Sequence, residues 1–421
     1  LITMQAFSRR GYAEEAEELL MQLLAMDHIK PDRKAYGIVM DAYACQGTLE
    51  GLAKVRHILR AIERRLAEHE QSDLDIDCTV YNILMKAYLR TYPRKSVKLI
   101  KATIDRMNHQ AEWLKMTQIR PDCKSYTILM QALIKEGSPG FPYKVEEVLR
   151  MVIADPTFKD NTLYTYCVAM DAWSNSNEPD AVTRIQAILK SIKYPDTACY
   201  NILLSAYAKR GLAADALDLL NHMREMFELG RNDSCRPDNV SYSTVIHALH
   251  NAETLSWQQG SEIFEDLVQR YKEGDHSCKP SEETVATLFQ LLHSSTLSDS
   301  YQEALRVWKS LEDIQFVHGP YSITAFIEAC CATVAGVEDP KSLKGAFSQI
   351  VQALSNWQDK SSSLVYSAAL EACAKLVPAG DERDQFISDL FACCAAHGQS
   401  SHLVLNTLHR ICTPELYTRL I

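Results

Sequence analysis

The stretch PDTACYNILLSAYAKRGLAADALDLLNHM, Pro195 to Met223, decides the architecture. Tyr200, Leu203, Leu204 and Tyr207 recur at i, i+3, i+4 and i+7, so they share one face of an amphipathic helix. Lys209-Arg210-Gly211 closes that helix with cations at its C-terminal end and a glycine stop. Ala213, Ala216, Leu217, Leu220 and Met223 mark the buried side of a second helix. Pro237 then ends the unit, since proline lacks the N–H a helix ladder needs and disfavours helix in the residue before it. The product is a helix–turn–helix hairpin whose apolar faces are covered only by neighbouring hairpins.

Those neighbours are present in the chain. PDRKAYGIVMDAY begins at Pro31, PDCKSYTILMQAL at Pro121 and PDNVSYSTVIHAL at Pro237, and DCTVYNILMKAY opens at Asp77 without the proline. The marker position of the first helix holds Tyr36, Tyr81, Tyr126, Tyr166, Tyr200 and Tyr242, then Val285, Ile323, Tyr366 and Leu405. These tyrosines read as packing residues. A tandem array of one supersecondary unit predicts an all-α solenoid, a right-handed superhelix of about ten hairpins over 1–401. Residues 33–281 carry the pattern best, 282–401 carry it in degenerate form, and 402–421 read as a capping helix or helix pair. The polar stretches Glu63–Asp75 and Phe227–Arg236 are expected to absorb extra length between second helices and following units. LITMQAFSRRGYAEEAEELL aligns without a gap on NILLSAYAKRGLAADALDLL, which predicts a first unit truncated at its start and a chain that is part of a longer protein.

Composition narrows the function. A formal net charge of −10 over 421 residues opposes a general polyanion binder, so nucleic-acid binding has to rest on a local stripe of Lys and Arg. The 13 cysteines include no C-x-x-C, and the adjacent pairs Cys330–Cys331 and Cys393–Cys394 lie in apolar helical stretches, where they read as small buried hydrophobes. No apolar run reaches the roughly 18 residues of a membrane span. His247, His250 and Glu253 are too few for a metal site. No P-loop, Rossmann fingerprint, nucleophile elbow or deaminase signature is present, so the chain is read as non-catalytic, without cofactor or small-molecule substrate.

A tyrosine followed by Asn, Thr or Ser in a first helix, in a unit ending Pro-Asp, resembles the pentatricopeptide repeat family. The expanded units are similar to its long-repeat subclass, including the repeat region of protein-only RNase P. The tetratricopeptide pattern W-x-x-L-G-x-x-Y is absent. The resemblance implies that each repeat reads one RNA base with the residue after the marker tyrosine and the last residue of the unit. The pairs implied are Asn82 with Asp122 and Asn201 with Asp238, both favouring uracil, then Thr127 with Thr162 and Ser243 with Ser281. Asn161 gives an adenine-type partner for Thr127 if the boundary shifts by one. Gly37 with Asp77 and Cys167 with Asp196 fall outside the well-determined combinations. A basic residue eight positions beyond the reader is implied to meet phosphate; Arg9, Arg90, Lys135, Lys209 and Lys375 occupy it, whereas Cys45, Asn175, Asn251, Ser294 and Ala332 do not.

The leading expectation is single-stranded RNA binding in the processing, stabilisation or translation of a transcript in a mitochondrion or plastid. The alternative is a protein-interaction scaffold, such as a subunit of an organellar ribosome; in a mixed version the front repeats hold RNA and Glu282–Ile421 docks a protein. A third reading places a catalytic domain outside this sequence. Each polar candidate also has a structural role open to it: Asn and Asp suit helix starts, and cations suit helix ends.

Overall fold

The computed structural model describes residues 2–25, 33–68, 77–158, 163–252, 256–295, 300–332, 340–357 and 360–421. Every regular element there is helical. Residues Leu1–Lys193 and Tyr194–Ile421 form two compact units.

The first unit holds five hairpins: α1 (Ile2–Arg9) with α2 (Ala13–Leu24), α3 (Arg33–Gln46) with α4 (Leu49–Glu68), α5 (Cys78–Thr91) with α6 (Ser96–Trp113), α7 (Cys123–Glu136) with α8 (Phe141–Ala154), and α9 (Leu163–Ser174) with α10 (Ala181–Ser191). The second holds α11 (Thr197–Ala208) with α12 (Ala213–Glu228), α13 (Asn239–Asn251) with α14 (Trp257–Lys272), α15 (Glu282–Ser294) with α16 (Ser300–Asp313), α17 (Pro320–Ala332) with α18 (Pro340–Asn356), and α19 (Ser363–Leu376) with α20 (Asp381–Ala396). A shorter pair, α21 (His402–Ile411) and α22 (Pro414–Leu420), follows. Short 3-10 turns at Thr117–Ile119, Pro156–Phe158, Asp233–Cys235 and His276–Cys278 link second helices to the next hairpin.

Within each unit the first helices pack on one another in series, and each second helix lies against its own first helix and, in most hairpins, against the next one as well. A first helix is therefore enclosed on several sides. In α5 the run Val80–Met85 and Ala87–Leu89 is buried, whereas α12 buries only Ala216, Leu220 and Met223. The amphipathic reading thus holds for second helices, while first helices are apolar nearly all round because they sit between neighbours. Marker tyrosines Tyr36, Tyr81, Tyr166, Tyr200, Tyr242 and Tyr366 are buried, and Tyr126 is half-buried against Phe158. Their hydroxyls reach second helices: Tyr81 to Glu63 and Gln110, Tyr242 to Asp266. Gly211, at φ +68°, supplies the left-handed stop after α11 that the sequence requires.

Two expectations about loops are corrected. The stretch beginning at Glu63 is helical as far as Glu68, since RRLAE is rich in helix formers, and Glu63 packs toward Tyr81. Phe227 and Glu228 likewise belong to α12, so part of the extra length lies in longer second helices. Among the described residues, no helix is long and apolar enough to cross a membrane.

Candidate nucleic-acid interface

Among the described residues, the aspartate of each Pro-Asp ending belongs physically to the helix that follows. Asp122, Asp196 and Asp238 cap α7, α11 and α13, accepting from the N–H of Ser125, Cys199 and Ser241 at 2.8, 3.0 and 2.9 Å. Asp77 caps α5 through Thr79. A side-chain oxygen here satisfies a donor that helix geometry leaves unpaired. Two of these caps are reciprocal boxes, because the Ser125 and Ser241 hydroxyls accept the N–H of Asp122 and Asp238 at 3.2 Å.

Onto each box the preceding first helix adds its asparagine. Asn201 Nδ2 donates to Asp238 Oδ1 at 3.1 Å, and the Ser241 hydroxyl donates to Asn201 Oδ1 at 2.6 Å. In the first unit Asn82 Nδ2 donates to Asp122 Oδ1 at 3.1 Å, and the Ser125 hydroxyl donates to Asn82 Oδ1 at 2.7 Å. One Asn–Asp–Ser constellation is thus built twice from residues about 40 positions apart. Asn201 is half-buried, whereas Asn82 is 6% exposed. The bonds on Asp238 converge on Oδ1, leaving its Oδ2 and one N–H of Asn201 without partners among the described residues. Burial pushes the Asp122 carboxyl up, but bonds from the Ser125 N–H, Asn82, the Ser125 hydroxyl and Cys78 outweigh it and hold the group below the usual carboxylate range.

The other implied pairs are arranged differently. Thr127 is buried and bonds Cys123 O at 2.7 Å and the Thr165 hydroxyl at 3.2 Å; Thr162 and Asn161 lie outside the described residues. Ser243 turns back onto Val240 O of its own helix, while Ser281 caps α15. The link between those two repeats runs instead from the Thr284 hydroxyl to Asn239 Oδ1. Asp77 makes an ion pair with Arg33 at 2.6 Å. Cys167 and Asp196 belong to different units.

Arg9, Arg90 and Lys135 in the first unit, and Lys209 and Lys375 in the second, are exposed at the ends of first helices. Arg90 reaches back to the Cys45 thiol at 3.0 Å, the equivalent position of the preceding repeat. In the first unit a cleft of about 1150 Å³ borders Asp122, Lys124, Tyr126, Thr127, Tyr164 and Thr165. His247 is exposed, His250 is half-buried, and Glu253 lies outside the described residues.

Sequence reasoning passed over the residues that complete the constellations: Ser125, Thr165, Ser241, Thr284 and Asn239. The signal was present as a hydroxyl three positions after the capping residue in PDCKS, PDNVS and PSEET.

Serial hairpins tied by polar side chains at their junctions define a helical-repeat protein. Residues 195–251 match the PPR repeat family. It is similar to the small ribosomal subunit protein mL103 (rPPR7) of Arabidopsis thaliana, 24% identical over 46% of this chain and 41% of that one. It is also similar to the pentatricopeptide repeat-containing protein At3g09650, chloroplastic, of the same plant, 23% identical over 74% and 37%. Both relatives are much longer than the segment this chain matches. Among solved structures it resembles the pentatricopeptide repeat protein PPR10 in complex with an 18-nt psaJ RNA element, with TM-score 0.43, 17% identity and coverage of 96% and 60%.

Proposed function

We propose that this chain binds single-stranded RNA without catalysis, with its Asn–Asp junctions reading bases and the exposed cations at first-helix ends meeting phosphate. One observation carries the reading: Asn201 and Asp238, both half-buried, bond each other beside a cap and keep an amide N–H and a carboxylate oxygen spare. An N–H beside a carboxylate oxygen complements the imide edge of uracil, which presents a carbonyl beside N3–H. Unstacked bases of single strands expose that edge, whereas a duplex hides it.

The likeness to a chloroplastic pentatricopeptide repeat protein supports a mitochondrion or plastid as the setting. Processing, stabilisation or translation of a transcript are the roles that fit a binder lacking its own chemistry. The whole protein's partners belong to the same proposal.

A protein scaffold is the second reading. The net charge of −10 and the likeness to a ribosomal subunit protein favour it. Titrating a single-stranded RNA pool against salt separates the two. RNA binding predicts affinity that falls steeply and linearly on logarithmic axes, and a scaffold predicts negligible binding at every salt concentration.

A further inference from the structure

The marker position of α17 holds Ile323, where other first helices place a tyrosine. In the hairpin of α5 and α6 that tyrosine, Tyr81, fills the space between two successive second helices, its hydroxyl bonded to Glu63 of α4 and Gln110 of α6. At α17 the corresponding helices are α16 and α18. Between them lies a cavity of about 420 Å³, walled by Ile323, by Trp308 and Glu312 of α16, by Ala353 and Asn356 of α18, and by Trp357, Phe316 and His318. Its volume falls within the about 300–1000 Å³ typical of ligand pockets.

The walls carry polar atoms that the chain itself leaves unpaired. Trp357 is 4% exposed and its Nε1 has no hydrogen-bond partner; neither ring nitrogen of His318 has one. Most buried polar groups are paired, and these three unpaired nitrogens belong to residues that line one hollow, so they can bond a molecule that enters it. His318 stacks on Trp308 with ring centroids 3.8 Å apart and planes 6° from parallel, and Phe316 meets the imidazole edge-on. Burial lowers the His318 pKa to about 4, so at neutral pH the imidazole is uncharged, with one N–H and one lone pair.

We propose that this cavity binds a phenolic ring, the tyrosine side chain of a partner polypeptide or a free phenol, in the place Ile323 leaves empty. A single hydroxyl answers two of the orphans at once, accepting from Trp357 Nε1–H and donating to the unprotonated nitrogen of His318. The aromatic walls take the ring by edge and face. Glu312, at the rim, opposes an anionic ligand such as a nucleotide. The proposal stands independently of RNA binding.

Calorimetric titration of the chain with p-cresol, toluene and uridine tests it. Saturable p-cresol binding is expected, at least tenfold tighter than toluene and not displaced by uridine. Ile323→Tyr is expected to fill the slot in cis and abolish it. Trp357→Phe, which keeps a ring and removes the N–H, is expected to shrink the preference over toluene several-fold, and it serves should Ile323→Tyr fail to fold. Competition by acetyl-Gly-Tyr-Gly-amide, but not by its phenylalanine counterpart, identifies a polypeptide source; exclusion of both peptides identifies a free phenol. Absence of p-cresol binding, equal binding of toluene, displacement by uridine, or undiminished binding in folded Ile323→Tyr would overturn the assignment.

Discussion

Asn201 donates to Asp238 across 3.1 Å, and Asn82 repeats that bond to Asp122 at the same distance in the other unit. Because each aspartate caps the helix that follows, the bond ties the first helix of one repeat to the start of the next first helix. Under the proposed base reading, recognition and stacking would use the same atoms. A reader residue would then be held by the fold before any ligand arrives, which lowers the ordering cost of binding.

Two of the late first helices, α15 and α17, lose the Pro-Asp ending yet keep a side-chain cap. Glu282 Oε1 accepts the N–H of Tyr321 at 2.8 Å, so a carboxylate from the preceding first helix serves α17. Glu282→Ala is expected to destabilise the protein by about 1 kcal/mol. Urea denaturation should show a lower midpoint with unchanged slope.

Stability should depend on His318 in acid. Its pKa in the folded chain is lowered from 6.5 to about 4 by burial, so between those values the unfolded chain binds more protons. The His318 contribution is complete above about pH 6.5, falls as the pH drops toward about 4, and is fully lost below that, for a loss of up to about 3 kcal/mol. His318→Phe should remove this segment of the pH profile, as read by thermal melts between pH 7 and 4.

Replacing Arg9, Arg90, Lys135 and Lys209 by glutamine should flatten the salt dependence of RNA binding. Each cation withdrawn from a phosphate of a single strand lowers the slope of log K against log salt by about 0.7. A set of fluorescence-anisotropy titrations from low to high salt reads it directly.

The repeat itself was legible because period, glycine stop and Pro-Asp ending all agree at Pro195–Asp238. Which residues share a junction was legible only in part. Asn82 and Asn201 meet their aspartates, but Ser243 folds back on Val240 and Thr127 bonds Thr165, because a short hydroxyl takes the nearest acceptor in its own helix or across the junction. The burial of Asn82 depends on packing between whole helices, which one strip of sequence does not encode. The hollow beside Ile323 was equally hidden: the missing tyrosine is visible in the sequence, whereas the orphaned Trp357 and His318 nitrogens appear only once α16 and α18 are side by side.

The most direct test of the central claim is selection of bound sequences from a random single-stranded RNA pool, with the native chain and with Asn201→Ala/Asp238→Ala. Uracil preference at one position of the selected motif should disappear in the variant while preferences at neighbouring positions persist. An unchanged motif from the folded variant would contradict base reading at this junction and leave the Asn–Asp bond a purely structural clasp.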